Sequence, residues 1–225
     1  VKTRRIVTVA ITAVAVAALA ATAFATVATL TVTPVRSVVT YPRAAKMVVN
    51  TPEPLEATIT VQARPVDGDW HDVSSIPATL AATGTSFTVA PKLSVTSGVK
   101  AIQNGIESEV VTVSVKASLN SLQVNHKKGH VWLVKGSIMP THAKGTPVTI
   151  RVWSKTFSGK GKHRSSTLTR LDDLTALVYK TKSHISWFDV RFTPPTRGTY
   201  VFQAVHSDAD HAESVSKTKA HKFSK

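Results

Sequence analysis

Between Lys155 and Arg170 the sequence gathers cations: Lys155, Lys160, Lys162, His163, Arg164 and Arg170, with no acidic residue among them. Ammonium and guanidinium groups on long stems adapt to irregular anions, and Gly159 and Gly161 keep the connecting backbone permissive, so this stretch reads as a long basic hairpin loop suited to phosphate or sulfate. The glycine spacing is not that of a phosphate-binding P-loop, and no helix follows it. Just upstream, Val148, Ile150 and Val152 alternate with Thr149, Arg151, Trp153 and Lys155. In a strand that alternation turns the aliphatic residues inward and leaves Arg151, Trp153 and Lys155 outside. A tryptophan flanked by two cations is suited to stack on a sugar ring or a base. Trp187, outward beside Asp189 and Arg191 by the same parity, is a second such ring. The competing expectation is a solvated loop with an aromatic covered by its neighbours.

Other chemistry finds little support. His126 with His130, and His206 with His211, invite a metal reading, but no helix sets either pair on one face and spacing fixes no third ligand, so surface histidines are expected. Asp208, Asp210 and Glu213 offer oxygens for calcium, in a spacing that matches no EF-hand loop and in cationic surroundings. No G-x-S-x-G, H-E-x-x-H or flanked carboxylate pair orders the Ser, His and Asp residues into a catalytic group. The chain contains no cysteine, which removes disulfide scaffolds, thiolate zinc sites and thiol nucleophiles. The expectation is a protein without enzymatic activity, cofactor or resident metal.

The elements that position these residues read as strands. In 225 residues with 42% hydrophobic content there is room for a core and for two domains of about 100 residues. Past residue 25, short period-two runs recur between Pro, Gly, Asn and Asp, the pattern of sandwiches or barrels. Strands are predicted near Leu30–Val35, Lys46–Asn50, Ala57–Arg64, Ser86–Ala90, Val99–Gln103 and Glu109–Val115. Six more are predicted near Val131–Ile138, Pro147–Lys155, Leu174–Thr181, Ile185–Phe192, Thr199–His206 and Val215–Ala220. Leu168, Leu171, Leu174 and Leu177 repeat every three residues, which suits a short helix, whereas the Thr content and Asp172-Asp173 favour a turn between strands. Trp132 faces the core by parity with Val134, and Tyr200 after Gly198 reads as a corner tyrosine tying a turn to the sheet.

Lys2, Arg4 and Arg5 precede an uncharged run from Ile6 that reaches Ala23-Phe24-Ala25. A basic start, an apolar middle and small residues at A-x-A describe a secretory signal peptide, residues 1–25. The run is also long enough to stay as a membrane anchor. A secreted or extracellular location, in part associated with the cell envelope, is the expectation, with membrane contact only if the segment is retained.

The remainder looks like two divergent copies, residues 26–115 and 116–225. Ile59-Thr60-Val61-Gln62-Ala63-Arg64 pairs with Val148-Thr149-Ile150-Arg151-Val152-Trp153, and Glu107-Ser108 with Glu213-Ser214. The hairpin segment with Gln62, Arg64, Gly68, Trp70 and Val73, and the stretch from Pro194 through Gly198, Tyr200 and Asp208 to Ser214, resemble bacterial immunoglobulin-like repeat domains of secreted and cell-surface proteins. That resemblance implies an all-β fold of two tandem immunoglobulin-like β-sandwiches and implies no chemistry. Charge divides the copies: the first holds 6 basic and 7 acidic residues, the second 19 and 6, with eight of the nine histidines. A near-neutral unit followed by a cationic one points to a binding or adhesion module whose second half contacts anionic envelope or extracellular polymers. No specific nucleic-acid recognition is expected. A purely structural spacer and a carbohydrate-binding module using Trp153 or Trp187 are the alternatives.

Overall fold

The computed structural model describes residues 29–159 and 165–224. The segment 1–25 read as a signal peptide, and with it Lys160, Lys162, His163 and Arg164, lies outside the described residues. Nearly every element is a strand. The first part carries β1 (Thr31–Pro34), β2 (Val38–Thr40), β3 (Met47–Asn50), β4 (Ile59–Pro65), β5 (His71–Ile76), one turn of helix α1 (Ala78–Ala81), β6 (Ser86–Val89), β7 (Ser97–Gln103), β8 (Ile106–Glu107) and β9 (Val111–Lys116). One sheet has the order β1-β3-β6; the other has the order β2-β9-β7-β4-β5, with β8 paired to β7. Period-two burial explains why they face each other. Val32, Met47, Val49 and Val89 from the first sheet meet Ile59, Val61, Ala63, Val99, Ala101, Val113 and Val115 from the second in one buried cluster. Asn104 and Gly105 both have positive φ, 49° and 79°. That is what a two-residue hairpin between β7 and β8 demands, and Asn-Gly meets the demand at least cost.

The second part carries β10 (Ser118–Leu119), β11 (Gln123–Lys128), β12 (Val131–Met139), β13 (Pro147–Ser158), β14 (Ser165–Arg170), β15 (Leu174–Lys182), β16 (Ile185–Phe192), β17 (Gly198–His206), β18 (Ser214–Val215) and β19 (Lys219–Phe223). These ten are hydrogen-bonded into one sheet along β10-β12-β16-β15-β13-β17-β18, with β11 on β12, β14 on β13 and β19 on β17. Their inward residues join a single cluster that includes Val134, Ile138, Ile150, Val178, Phe188, Phe202 and Phe223. A sheet whose strands all feed one core must curl around it. Tyr200 is buried, and its hydroxyl donates to Thr196 O at 2.9 Å while accepting from Thr196 N at 3.2 Å. It ties the turn before β17 to the core, as its place after Gly198 suggests.

Two sequence readings change, and a third is decided for the turn between strands that Asp172-Asp173 favours. Lys155–Arg170 is not one long loop. β13 continues to Ser158 and β14 begins at Ser165, the two arms being rich in Ser and Thr and paired from Trp153–Arg170 out to Ser158–Ser165. The leucine series is split between β14 and β15, joined through Leu171–Asp173, so its spacing of three marks a connection between strands and not a helix. The last predicted strand divides into β18 and β19, which pair with different parts of β17.

The internal likeness is clearest in hydrogen bonds. Val61 pairs with Ala101, and Ile150 with Ala204. Ala101 N donates to Ser108 Oγ at 2.9 Å, and Ala204 N donates to Ser216 Oγ at 2.9 Å. Each serine N–H donates back to the same alanine's carbonyl, again at 2.9 Å. Ser108 therefore corresponds to Ser216, two residues beyond the Ser214 that the sequence pairing selects. Both serines are buried, so removing either hydroxyl strands a buried N–H. Ser108→Ala and Ser216→Ala are each expected to cost about 1–3 kcal/mol in denaturant unfolding. A change below about 0.5 kcal/mol at either would show that the bond is dispensable there.

The two clusters meet at Ala117, which belongs to the second, next to Val115 of the first. Ala212 N donates to Val115 O at 2.9 Å and Thr96 N to Asp210 O at 2.7 Å, and Lys116 and Ala212 form a parallel bridge. Backbone bonds thus join the loop between β17 and β18 to the first part of the chain.

Candidate functional site

Two groupings of chemistry-bearing side chains stand out, on opposite electrical principles. The first is the basic arm of β13 and β14. Val148, Ile150 and Val152 are buried, which leaves Arg151, Trp153 and Lys155 on the outer face as the alternation requires. β14 is exposed at every residue and pairs with β13 alone, so this arm stands off the core. Trp153 is not a bare platform: Arg170, across the ladder from it, sets its guanidinium 4.6 Å from the ring centroid. Trp187 likewise lies under Lys180, at 5.6 Å. A sugar stacking on either ring's covered face must first displace a cation. Arg151 approaches Glu213 at 3.7 Å, and Arg170 is paired with Asp173. Among the described residues, these are the two Lys or Arg side chains after Lys116 with a carboxylate within 4 Å. Lys155 sets its ammonium 5.2 Å from the Phe157 ring centroid.

The other tryptophans are structural. Trp70 lies between Arg64, 5.0 Å from its centroid, and Lys100, 4.6 Å away, while Lys100 also meets Glu107 at 2.7 Å. Trp132 packs against His126, His221 and Phe223 with centroids 4.8–4.9 Å apart. Burial among these rings pushes His221 below the ordinary histidine value, and Lys219 pushes it the same way.

The second grouping is one the sequence reading took apart. His206 ends β17. Asp208 and His211 follow in the loop to β18, and His142 follows β12. The four ligand atoms they offer all lie within 4.8 Å of one another. His142, His206 and His211 are buried, so the expectation of surface histidines fails for His206 and His211. His126 and His130 remain exposed. Asp208 is turned inward because its Oδ1 accepts from Asp210 N at 3.0 Å and His211 N at 2.7 Å, a local turn that Asp favours. His142 is held by Ser186, whose Oγ accepts from His142 N at 2.8 Å and donates to His142 O at 3.1 Å.

Each ring has one nitrogen against a backbone carbonyl: His142 Nδ1 on Pro140 O at 2.8 Å, His206 Nδ1 on Pro147 O at 3.2 Å, and His211 Nε2 on Ser94 O at 3.0 Å. A carbonyl only accepts, so the proton sits on these outer nitrogens. The inner nitrogens converge on Asp208: His206 Nε2 is 2.9 Å from Oδ2, His211 Nδ1 is 2.9 Å from Oδ1, and His142 Nε2 is 3.4 Å from Oδ2. His142 Nε2 is buried and makes no hydrogen bond. Burial holds His142 below the ordinary histidine value; His206 and His211 act the same way, and the bond to Pro140 opposes them. Desolvation pushes Asp208 up, whereas His211 and His206 hold it below the ordinary carboxylate value when an inner ring N–H faces it. Asp210 and Glu213, grouped with Asp208 as calcium oxygens from the sequence, stay outside: Glu213 faces Arg151. A cavity of about 440 Å³, lined by Ser94, Thr141, His142, His184, Asp208 and His211 among others, opens over the group.

His142 is the member that spacing does not reveal, since it lies more than sixty residues before its partners. His206-x-Asp208-x-x-His211 is visible, and the signal was lost by pairing the histidines apart from the aspartate between them. The chain matches no protein-family model and no curated protein.

Proposed function

We propose that the chain is a non-enzymatic, secreted or surface-associated binding protein of two immunoglobulin-like sandwiches, whose basic second unit contacts anionic envelope or extracellular polymers. The observation that supports this reading most is the β13–β14 arm. It projects from the core with both strands of its outer part exposed, and it flanks the most cationic stretch of the sequence. Arg151, Trp153, Lys155 and Arg170 lie on the arm itself; Lys160, Lys162, His163 and Arg164 are the intervening sequence. Exposed ammonium and guanidinium groups engage phosphates or sulfates, and each engaged group releases counterions.

The test is retention of the chain on heparin and on purified envelope polymers across a salt series. Replacing Lys160, Lys162 and Arg164 by Ser should weaken retention and flatten its salt dependence by about one unit of slope per lost contact. A control replacing the exposed Arg36, Arg43 and Lys46 of the first unit by Ser should leave both nearly unchanged. Equal losses in the two variants would reduce the interaction to net charge and end the proposal.

A further inference from the structure

We propose that His142, His206, Asp208 and His211 form a binding site for one divalent transition-metal ion, zinc fitting best, which holds the β17–β18 loop against the first unit. Three independent features point there. The donor set, three imidazoles and one carboxylate, suits zinc, whose ligands are nitrogen, oxygen and sulfur in a tetrahedron. The outer nitrogen of every ring is pinned to a carbonyl, of Pro140, Pro147 and Ser94, which fixes the tautomer and aims the inner lone pair at the centre. His142 Nε2 is a buried acceptor with nothing to accept from, and a cation at the centre satisfies it.

The contacts with Asp208 make the same point. With the outer nitrogens protonated, His206 Nε2 and His211 Nδ1 bring lone pairs to within 2.9 Å of carboxylate oxygens that carry lone pairs of their own. A second proton on each ring, or a cation between the groups, resolves this. Protons on His206 and His211 would leave His142 Nε2 unaccounted for; a metal ion accounts for all three rings at once. Zinc bonds of 2.0–2.1 Å in a tetrahedron set ligand atoms about 3.3 Å apart. The inner atoms are already within 4.8 Å of one another, and Asp208 Oδ2 lies 2.9 Å from His206 Nε2 and 3.4 Å from His142 Nε2. The shifts needed are those of side-chain rotation, and the cavity above Asp208 gives an entry path. Four protein ligands fill a tetrahedron and leave no open position, so the ion is structural and not catalytic.

The site lies at the junction. His211 is bonded to Ser94 O of the first unit, and its neighbours Asp210 and Ala212 are bonded to Thr96 and Val115. An ion there ties β12's following loop, the end of β17 and the first unit to one point.

The test uses the whole chain from residue 26, stripped with chelator and titrated with Co²⁺ and then Zn²⁺. The expected result is one ion per chain, a tetrahedral cobalt absorption spectrum with no thiolate band, loss of that spectrum on adding one equivalent of zinc, and a higher melting temperature with zinc than with chelator. His142→Gln and Asp208→Asn should each weaken zinc binding by about tenfold to a hundredfold or more, whereas His130→Gln should not change it. The wild-type spectrum decides the matter even if a variant fails to fold. An octahedral or absent cobalt spectrum with the folded wild-type chain, or unchanged zinc affinity in folded His142→Gln and Asp208→Asn, would overturn the site.

Discussion

Phe223→Ala is expected to lower the stability of the second unit by about 3–5 kcal/mol, the usual cost of truncating a fully buried aromatic. Phe223 is 1% exposed and is the hub of the aromatic core. Its ring lies 4.8 Å from Trp132, 5.3 Å from Tyr200, 5.6 Å from Phe192 and 6.3 Å from Phe202, all in tilted or edge-to-face arrangements. Such pairs add to the value of the buried area itself. The residue also anchors β19 on Gly198 of β17, so its loss frees the strand as well as opening a cavity. For a unit of this size the melting midpoint should fall by about 12 °C or more. Calorimetry checks it, and a fall of less than about 4 °C would show that the neighbouring rings close the space unaided.

Gly136→Ala should be costly for the opposite reason. A Cβ on Gly136 would sit 2.3 Å from Phe188 Cζ, 2.7 Å from Phe188 Cε2 and 3.0 Å from Leu122 Cδ2. Gly136 pairs directly with Phe188 across β12 and β16, and that ring's Cζ and Cε2 occupy the space a side chain would take. Phe188 is fully buried and cannot swing away, and Leu122 is buried behind it. The expected loss is about 3 kcal/mol, at the upper end of overpacking. The diagnostic is non-additivity. In a Phe188→Leu background the obstructing ring is gone, so adding Gly136→Ala should cost much less than in the wild type. Equal costs in both backgrounds would place the strain elsewhere.

Sequence alternation located β1, β3, β4, β6, β7, β9, β12, β13, β15, β16 and β17, because each has an inward row such as Ile59, Val61 and Ala63 that only a strand can bury on one face. It missed β2, β5, β8, β10, β11 and β14, which are very short or weakly alternating. Gln123–Lys128 has a single buried residue and Ser165–Arg170 has none. Those strands are held by backbone pairing with a neighbour, which leaves little trace in side-chain hydrophobicity. The metal-ligating group was half legible. Asp208 and His211 are local, but His142 joins them only because β12 and β17 deliver their ends to the same edge of the fold. The outward face of β13 was fully legible, since parity alone fixes it, whereas the cation over Trp153 depends on β14, a strand the sequence did not announce.

β2 and β9 run parallel, with Val38 opposite Ser114 and Thr40 opposite Lys116, flanked by bonds from Ser114 N to Ser37 O at 2.8 Å and from Tyr41 N to Lys116 O at 3.0 Å. The chain enters β2 at its Val38 end and leaves β9 at its Lys116 end. Tension that draws those two ends apart therefore runs along the strands in opposite directions. It loads every rung of the ladder in shear at once, whereas an antiparallel hairpin pulled at its open end parts one rung at a time. The isolated bridge between Lys116 and Ala212, just past that clasp, is parallel too. Resistance to a pull is set by the unfolding rate rather than by equilibrium stability. Tension between the segment entering Val38 and the segment leaving Lys116 thus meets a clasp rather than a zipper.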